Sequence, residues 1–300
     1  MRCERGQVSN KKSCVVLVTN QAYLRKALGT VWELRIFGRF LGPVVLIIGE
    51  DLKGQENRLR KSWLGITPKY FPEMDRAQED LALRNLPGTE PAQINKTFQF
   101  HKFFCFAPYF KRWKKVLYID ANMKIQGPLA PIVKLPCRDK IIAHSDSYPD
   151  FKSSLIDQFN FADFPNLRSK LTDAIGDVDD YFQTTMMLFD TAIITNRTVE
   201  ELQALARLFP NSRTNDQGIL NVWAIQQELW VPLPTRERRG LFLYDFHERP
   251  GFTAKNYRMI KYPRTNNNRL LRRISEKLFA LYLRRFCREF NKTRAAAAVS

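Results

Sequence analysis

Two polar side chains stand where a strand is expected to end. Asp120 directly follows the apolar residues 116–119, and Asn122 lies two residues further along the chain. On a turn that leaves a strand, such side chains can converge on one ion, and carboxylate and carbonyl oxygens are ligands of hard divalent cations. The pattern therefore predicts a metal site, whose charge Asn122 lowers because it offers a carbonyl. The alternative is a strand-end carboxylate that caps a turn.

The elements that would hold this turn begin with a β-α-β unit. A buried strand is predicted over residues 13–19, a helix follows through apolar positions from Leu24 to Phe37, and a second strand covers residues 44–48. A helix that joins two such strands implies a mostly parallel sheet covered by helices. Open sheets of this kind bind ligands beyond the carboxyl ends of their strands. The sequence thus predicts an α/β fold with its site at that edge.

The rest of the body carries weaker signals. Residues 52–92 contain four prolines and indicate a helix-and-loop excursion. An aromatic-rich helix is predicted over residues 94–110, and its phenylalanines are expected to pack in the core. Further strands are predicted at 141–143, 185–189 and 241–246, and helices at 199–208 and 216–226. We expect one domain over residues 1–263 and an appended tail over residues 264–300.

Three stretches resemble a known enzyme family. The segment 100–123, which runs through the strand to Asp120, resembles the region around the Asp-x-Asp motif of retaining glycosyltransferases of the glycogenin and lipopolysaccharide galactosyltransferase type. Residues 216–221 (Asp-Gln-Gly-Ile-Leu-Asn) resemble that family's Asp-Gln-x-x-Leu-Asn helix, and residues 183–188 resemble its Asn-Ser-Gly strand. The resemblance covers residues 13–251. It implies a single-domain GT-A fold, which is Rossmann-like, and sugar transfer from a nucleotide diphosphate donor.

The resemblance also implies roles for individual residues. Two groups lie where the family contacts its donor: nucleotide-binding candidates are Thr19, Asn20, Tyr23 and Lys102, and sugar-side catalytic candidates are Gln183, Asp216 and Gln217. Simpler interpretations stay open, because Asp216 and Gln217 could cap a helix that begins near Thr214. Tyr23 could likewise pack against a helix rather than stack on a base.

The implied metal site joins distant parts of the chain. His247 lies where the family has its third metal ligand, so Asp120, Asn122 and His247 would hold Mn²⁺ or Mg²⁺ beside a UDP-hexose donor. His247 could instead be a structural hydrogen-bond donor. Asn122 replaces the family's second aspartate, and Thr185 replaces a glycine. Arg249 is the candidate for the phosphate contact of a lysine that this chain lacks. Donor, metal dependence and stereochemical outcome stay open.

Positive charge concentrates at the end of the chain. Residues 255–300 hold thirteen Lys or Arg against Glu276 and Glu289, which gives +11 of the net +18. A nucleic-acid reader would usually carry its charge in a groove together with a readable motif, and none is found. Apolar residues recur at four-residue intervals from Leu270, so the tail is predicted to be a basic amphipathic helix. Residues 266–300 could contact an anionic membrane peripherally, or the helix could pack against the body.

Three features of the sequence bear on the location of the protein. Five scattered cysteines form no CxxC pair, no apolar run reaches the length of a membrane span, and three Asn-x-Thr sequons occur at Asn95, Asn196 and Asn291. A cytoplasmic protein is the plain expectation. A domain cut from a membrane anchor in the Golgi lumen would look similar, and the sequons would matter there.

Three hypotheses follow from the sequence. The first is a metal-assisted hexosyltransferase that acts on a glycan, protein or lipid-linked acceptor. The second is a scaffold protein that kept the fold, lost tight metal binding through Asn122 and acts through its basic tail. A nucleic-acid-associated protein ranks last. Turnover of a donor separates the first two hypotheses.

Overall fold

A computed structural model of the chain describes residues 13–75, 97–146, 154–162, 164–176, 178–237, 240–264 and 270–297, with side chains of the last helix described to residue 286. The strands in these ranges are β1 (Ser13–Thr19), β2 (Val44–Ile48), β3 (Ile66–Tyr70), β4 (Lys115–Ile119), β5 (Lys124–Ile125), β6 (Ile141–Ser145), β7 (Phe182–Asp190), β8 (Trp230–Pro232), β9 (Phe242–His247) and β10 (Tyr257–Tyr262). The α-helices are α1 (Leu24–Ile36), α2 (Glu56–Arg60), α3 (Ala130–Val133), α4 (Pro165–Ile175), α5 (Thr198–Leu208), α6 (Asp216–Gln226) and α7 (Leu270–Ala297).

A seven-stranded, mostly parallel sheet forms the centre of the molecule. Its order is β3-β2-β1-β4-β7-β6-β8, and β7 runs antiparallel to both of its neighbours. The ends of β1 and β4 therefore lie at the same edge as the start of β7. This confirms the predicted α/β class and the β-α-β opening, in which β2 covers the predicted residues 44–48.

Each face of the sheet carries its own apolar layer. In β1, Cys14 and Val16 pack into one layer, whereas Val15 and Leu17 pack into the other. Successive side chains of a strand point to opposite faces, so a run of apolar residues suits a strand covered on both sides. The buried rings Phe100, Phe103 and Phe106 belong to the first layer, as expected of core residues.

A second sheet of three strands, in the order β5-β10-β9, lies beside the first. β10 pairs in parallel with β9, so that Tyr262 faces His247, and antiparallel with β5, so that Met259 faces Ile125. The sequence indicated β9 but not β10. The small sheet matters for function because the end of β10 approaches the turn that follows β4.

Several segments differ from the sequence-based expectation. β3 lies within the predicted helix-and-loop excursion, and Pro68 fits there because an edge strand tolerates a proline. The aromatic segment forms two 3₁₀ helices, Thr97–Phe106 and Pro108–Arg112, rather than one α-helix. Residues 76–92 of the predicted excursion and residues 94–96 of the predicted aromatic helix lie outside the described residues.

Helix α7 confirms the predicted amphipathic helix and packs one face against α1. Arg272 lies 2.8 Å from Glu33, and the Trp32 indole donates a 2.7 Å hydrogen bond to Ser275. The opposite face leaves Leu271 74% and Leu278 52% exposed. Within the described ranges, no helix is long and apolar enough to cross a membrane. The proposed boundary between body and tail at residue 263 stays a prediction.

Candidate functional site

A cleft of about 510 Å³ opens where β1 and β4 end and β7 begins. We call it the edge cleft. It brings together six of the residues singled out from the sequence: Asn20, Tyr23, Lys102, Asp120, Asp216 and Gln217. Residues to which the sequence analysis assigned no role also line it, among them Tyr118, Thr184, Thr185, Phe246, Lys261 and Tyr262. The position agrees with the ligand-binding edge expected of an open α/β sheet.

Lys102 and Asp216 form a buried ion pair at the back of the cleft. The Lys102 Nζ lies 2.5 Å from Asp216 Oδ2 and donates a 2.9 Å hydrogen bond to Thr184 Oγ1. Burial raises the pKa of the Asp216 carboxyl, and Lys102 offsets only part of that rise. Burial acts to lower the pKa of Lys102, but Asp216 and Asp120 outweigh it and raise that pKa above its usual value. Lys102 is therefore a firmly charged group.

Asp120 lies between two ammonium groups. Its backbone N–H bonds to Thr185 O at 2.9 Å, which places the residue beside the start of β7. Oδ1 accepts a 2.6 Å hydrogen bond from Tyr118 OH and lies 3.6 Å from Lys102 Nζ, whereas Oδ2 accepts a 2.9 Å bond from Lys261 Nζ. Burial acts to raise the pKa of Asp120, but Lys102 and Lys261 outweigh it and hold that pKa below its usual range. Charges thus alternate along Asp216, Lys102, Asp120 and Lys261.

The motif at residues 216–221 builds the cleft as well as lining it. Asn221 brackets the first residue of β7, because it accepts from the N–H of Phe182 and donates to its carbonyl, both at 2.8 Å. Gln217 Oε1 accepts from the N–H of Thr184 at 3.3 Å. A Cβ on Gly218 would lie 2.5 Å from Ser212 Oγ, so glycine permits a close approach there. Helix anchoring and cleft lining are both properties of this one motif.

The predicted nucleotide-binding residues separate into two groups. Asn20 and Tyr23 line the edge cleft, and Tyr23 is 49% exposed, which leaves its ring accessible to a ligand. Thr19 is fully buried and donates a 3.0 Å hydrogen bond to the carbonyl of Asn20. It therefore stabilises the backbone that leaves β1 and does not line the cleft.

Gln183 and Arg249 lie outside the residues that line the cleft. Gln183 Nε2 donates a 2.5 Å hydrogen bond to Asp146 Oδ1, and its Oε1 accepts from Tyr244 OH at 3.4 Å. Arg249 Nε donates to Asp245 Oδ2 at 2.5 Å. Direct roles for Gln183 at the sugar and for Arg249 at a phosphate stay predictions. In this conformation both side chains pair with neighbouring groups.

The described residues do not make a good donor set for a divalent cation. Both carboxylate oxygens of Asp120 face ammonium groups. Asn122 adopts a left-handed backbone with φ of 71°, and His247 is exposed with its ring stacked on Tyr262 at 5.5 Å. Neither of these two lines the cleft. In the described part of the chain, no group of three or more His, Cys, Asp or Glu side chains is placed to hold a metal ion.

Lys261 is the functional candidate that the sequence interpretation missed. It lies on β10, a strand whose pairing with β5 and β9 cannot be read locally, and it is 8% exposed. The available signal was a lysine directly after the apolar pair Met259-Ile260 and before Tyr262. A long cationic side chain at a buried position is rare unless it is paired, and here Asp120 is the partner.

Chemically, the cleft combines charge with an aromatic and polar lining. Its two ammonium groups can donate to phosphate oxygens, and carboxylates hold both in place. Hydroxyl and amide groups of Thr184 and Gln217 can bond sugar hydroxyls, and Tyr23 offers a ring for a base. These groups suit a ligand that has a diphosphate, a sugar and an aromatic base.

Several solved structures that resemble this chain are glycosyltransferases. An active-site variant of the galactosyltransferase LgtC matches with a TM-score of 0.52 and 14% identity, over 83% of this chain and 86% of that one. The bifunctional glycosyltransferase WbbM matches with a TM-score of 0.50 and 15% identity, over 86% of this chain and 46% of that one. GlyE from Streptococcus pneumoniae matches at 0.44 and 17% identity, over 75% of this chain and 45% of that one.

These comparisons bear on the fold. The match covers 46% of the WbbM chain and 45% of the GlyE chain, so this chain spans about half the length of each. No family model matches the sequence, and a comparison with curated proteins found no match. At such low identities the likeness shows the architecture, which is the GT-A type found in nucleotide-sugar glycosyltransferases. The fold implied by the sequence resemblance is thereby confirmed.

Proposed function

We propose that this chain is a glycosyltransferase that moves a hexose from a nucleotide diphosphate sugar to a hydroxyl group of a glycan, protein or lipid-linked acceptor. UDP is the proposed nucleotide, on the sequence resemblance. The observation that carries the proposal is the alternating charge network in the edge cleft, which holds two ammonium groups at the ligand-binding edge of the sheet. The GT-A architecture supports it.

The proposed reaction is a displacement at the anomeric carbon. The bond between that carbon and the β-phosphate oxygen breaks, and its electron pair stays on the leaving nucleoside diphosphate. The acceptor oxygen forms a new bond to the anomeric carbon, and its proton is released. Negative charge develops on the diphosphate, so preorganised positive groups beside it lower the barrier.

The described residues suggest a division of labour. Asn20 and Tyr23 would bind the nucleoside, Lys102 would meet the donor phosphates, and Asp216 with Gln217 would meet the sugar. A Mn²⁺ or Mg²⁺ ion at Asp120, Asn122 and His247 stays a prediction of the sequence. Because the donor set does not favour it, no step is assigned to a metal here.

A panel of nucleotide sugars tests the function. Wild-type protein is incubated with UDP-, GDP- and other nucleotide-linked hexoses, with EDTA or with manganese, and released nucleotide is measured. We expect one donor to be hydrolysed slowly even without an acceptor, because water can replace the acceptor hydroxyl. Binding of a nucleoside diphosphate without any turnover, under all conditions and with added acceptor sugars, would favour the scaffold hypothesis instead.

We also propose that α7 contacts an anionic membrane, which suits a lipid-linked or surface acceptor. Its outer face presents exposed Leu271, Leu278 and Leu281 beside the basic residues Lys277 and Arg284. Apolar side chains can enter the interface while the cations bind lipid phosphates. Because the other face packs on α1, surface substitutions test this contact better than deletion of the helix.

The double variant Leu271→Glu/Leu278→Glu should bind phosphatidylserine vesicles about tenfold or more weakly than wild type, since two leucine insertions are lost. Vesicle co-sedimentation measures this, and the thermal unfolding midpoint should stay near that of wild type. Leu208→Glu, at an exposed leucine on α5, is the matched control and should leave vesicle binding unchanged. Equal binding by all three proteins would remove α7 as the membrane contact.

A further inference from the structure

We propose that the Lys261 ammonium group meets the donor diphosphate in the place where a divalent cation is expected. The inference rests on the proposed function and names the positive group that serves it. It follows from the disagreement between the metal site implied by the sequence and the groups that surround Asp120.

Lys261 is held in the cleft from two sides. Its Nζ donates to Asp120 Oδ2 at 2.9 Å and to the carbonyl of Ala121 at 3.1 Å. An ammonium group can donate three hydrogen bonds. Within the described part of the chain these two acceptors take two of them, and Lys261 lines the cleft, so the third can reach a ligand.

The surrounding fold makes this position rigid. β10 lies between β5 and β9, with Ile260 facing Lys124 on one side and Asp245 on the other. The adjoining residues Met259 and Ile260 are fully buried, so the base of the Lys261 side chain has little freedom to move. A preorganised donor costs little reorganisation when charge develops on a ligand.

A metal ion and Lys261 would compete for one carboxylate. The ion needs Asp120 Oδ2 or Oδ1, but Oδ2 already accepts from Lys261, and Oδ1 accepts from Tyr118 and lies near Lys102. Binding there would displace Lys261 and leave an ammonium group, now 8% exposed, without its counter-charge. Such a group is costly to bury unpaired. Asp120 thus acts as a positioning residue that aims Lys261.

In the transfer step, Lys261 stabilises the leaving group. As the bond between the anomeric carbon and the β-phosphate oxygen breaks, the electron pair moves onto that oxygen, and the Lys261 N–H donates to the phosphate oxygens. The lysine gives up no proton in this role. Lys102 lies on the other side of Asp120 and adds a second positive charge at 3.6 Å from Oδ1.

The experiment compares wild type, Lys261→Met and a matched control, Lys255→Met, at an exposed lysine just before β10. UDP and GDP binding is measured by calorimetry with EDTA and with manganese, and donor hydrolysis is measured in parallel. We expect wild type to bind and hydrolyse in EDTA. Lys261→Met should lose roughly 10²–10³-fold in kcat/KM, and Lys255→Met should not. Manganese should restore Lys261→Met at least about tenfold, because Asp120 is then open to the ion, and should leave wild type unchanged.

Metal rescue is the readout that a merely structural role of Lys261 would not produce. If wild type binds nucleotide and turns over donor only with manganese, the inference is overturned while the proposed function stands. Equal kcat/KM for Lys261→Met and Lys255→Met would overturn it in the same way. If Lys261→Met does not fold, the comparison of wild type in EDTA and in manganese still tests the inference. Absence of nucleotide binding by wild type, with and without manganese, would overturn the proposed function and this inference together.

Discussion

Replacing Lys102 with methionine should lower the free energy of unfolding by about 3–5 kcal/mol. The substitution leaves the Asp216 carboxylate, whose side chain is 7% exposed, without its positive partner, and it removes the hydrogen bond to Thr184. A buried charge without a partner is among the few causes of losses this large. Urea unfolding followed by circular dichroism measures the change.

Two further variants test whether the loss of stability comes from the ion pair between Lys102 and Asp216. Lys111→Met, at an exposed lysine of the 3₁₀ helix Pro108–Arg112, should change the free energy of unfolding by less than about 0.5 kcal/mol. Lys102→Met/Asp216→Asn should be more stable than Lys102→Met alone, since the stranded charge is gone. Equal losses in Lys102→Met and Lys111→Met would contradict the buried ion pair.

Replacing Asp120 with asparagine should reduce kcat by roughly 10²–10³-fold. Asparagine keeps the size of the side chain and can still accept from Tyr118, but it loses the charge that holds Lys261 and neighbours Lys102. The loss is expected whichever positive group meets the diphosphate, because Asp120 positions it in either case. Single-turnover assays with the donor identified by the panel measure the rate.

Some loss of stability is expected in this variant, because the buried Lys261 ammonium group loses its counter-charge, so turnover is measured well below the thermal unfolding midpoint of the variant. Asp173→Asn, at an exposed aspartate of α4, controls for the loss of one negative charge and should keep wild-type turnover. Turnover of Asp120→Asn within about threefold of wild type would exclude Asp120 from the reacting site.

The sequence predicts local, strongly patterned elements well. β1 and β2 consist of β-branched and apolar residues in short runs, so their strand character and near-complete burial could be read directly. β10 carries Arg258 and Lys261 within six residues, and only pairing with β5 and β9 makes it a strand. Such non-local partners leave no local pattern. β3 was hidden because Pro68 resembles a loop signal.

The site was predicted in part for the same reason. Asp120 stands at the end of a recognisable strand, so its place at the sheet edge followed from the chain itself. The sequence could not predict which of the adjacent residues Gln183 and Thr184 faces the cleft. Gln183 turns to Asp146, whereas Thr184 lines the cleft. The direction of each side chain depends on how α6 and β9 pack against β7, and a single sequence does not reveal that packing.

The two hydrogen bonds between the Asn221 side chain and the backbone of Phe182 help to fix the place where β7 begins. The amide satisfies both backbone groups of the strand's first residue, as a neighbouring strand would, and Asn221 is itself fully buried. Thr184 and Thr185 are therefore also held by α6 and by β4, because Gln217 accepts from the N–H of Thr184 and the N–H of Asp120 donates to the carbonyl of Thr185. A change in the connection between β6 and β7 would thus leave these contacts of the first residues of β7 in place, because α6 makes them and that connection does not.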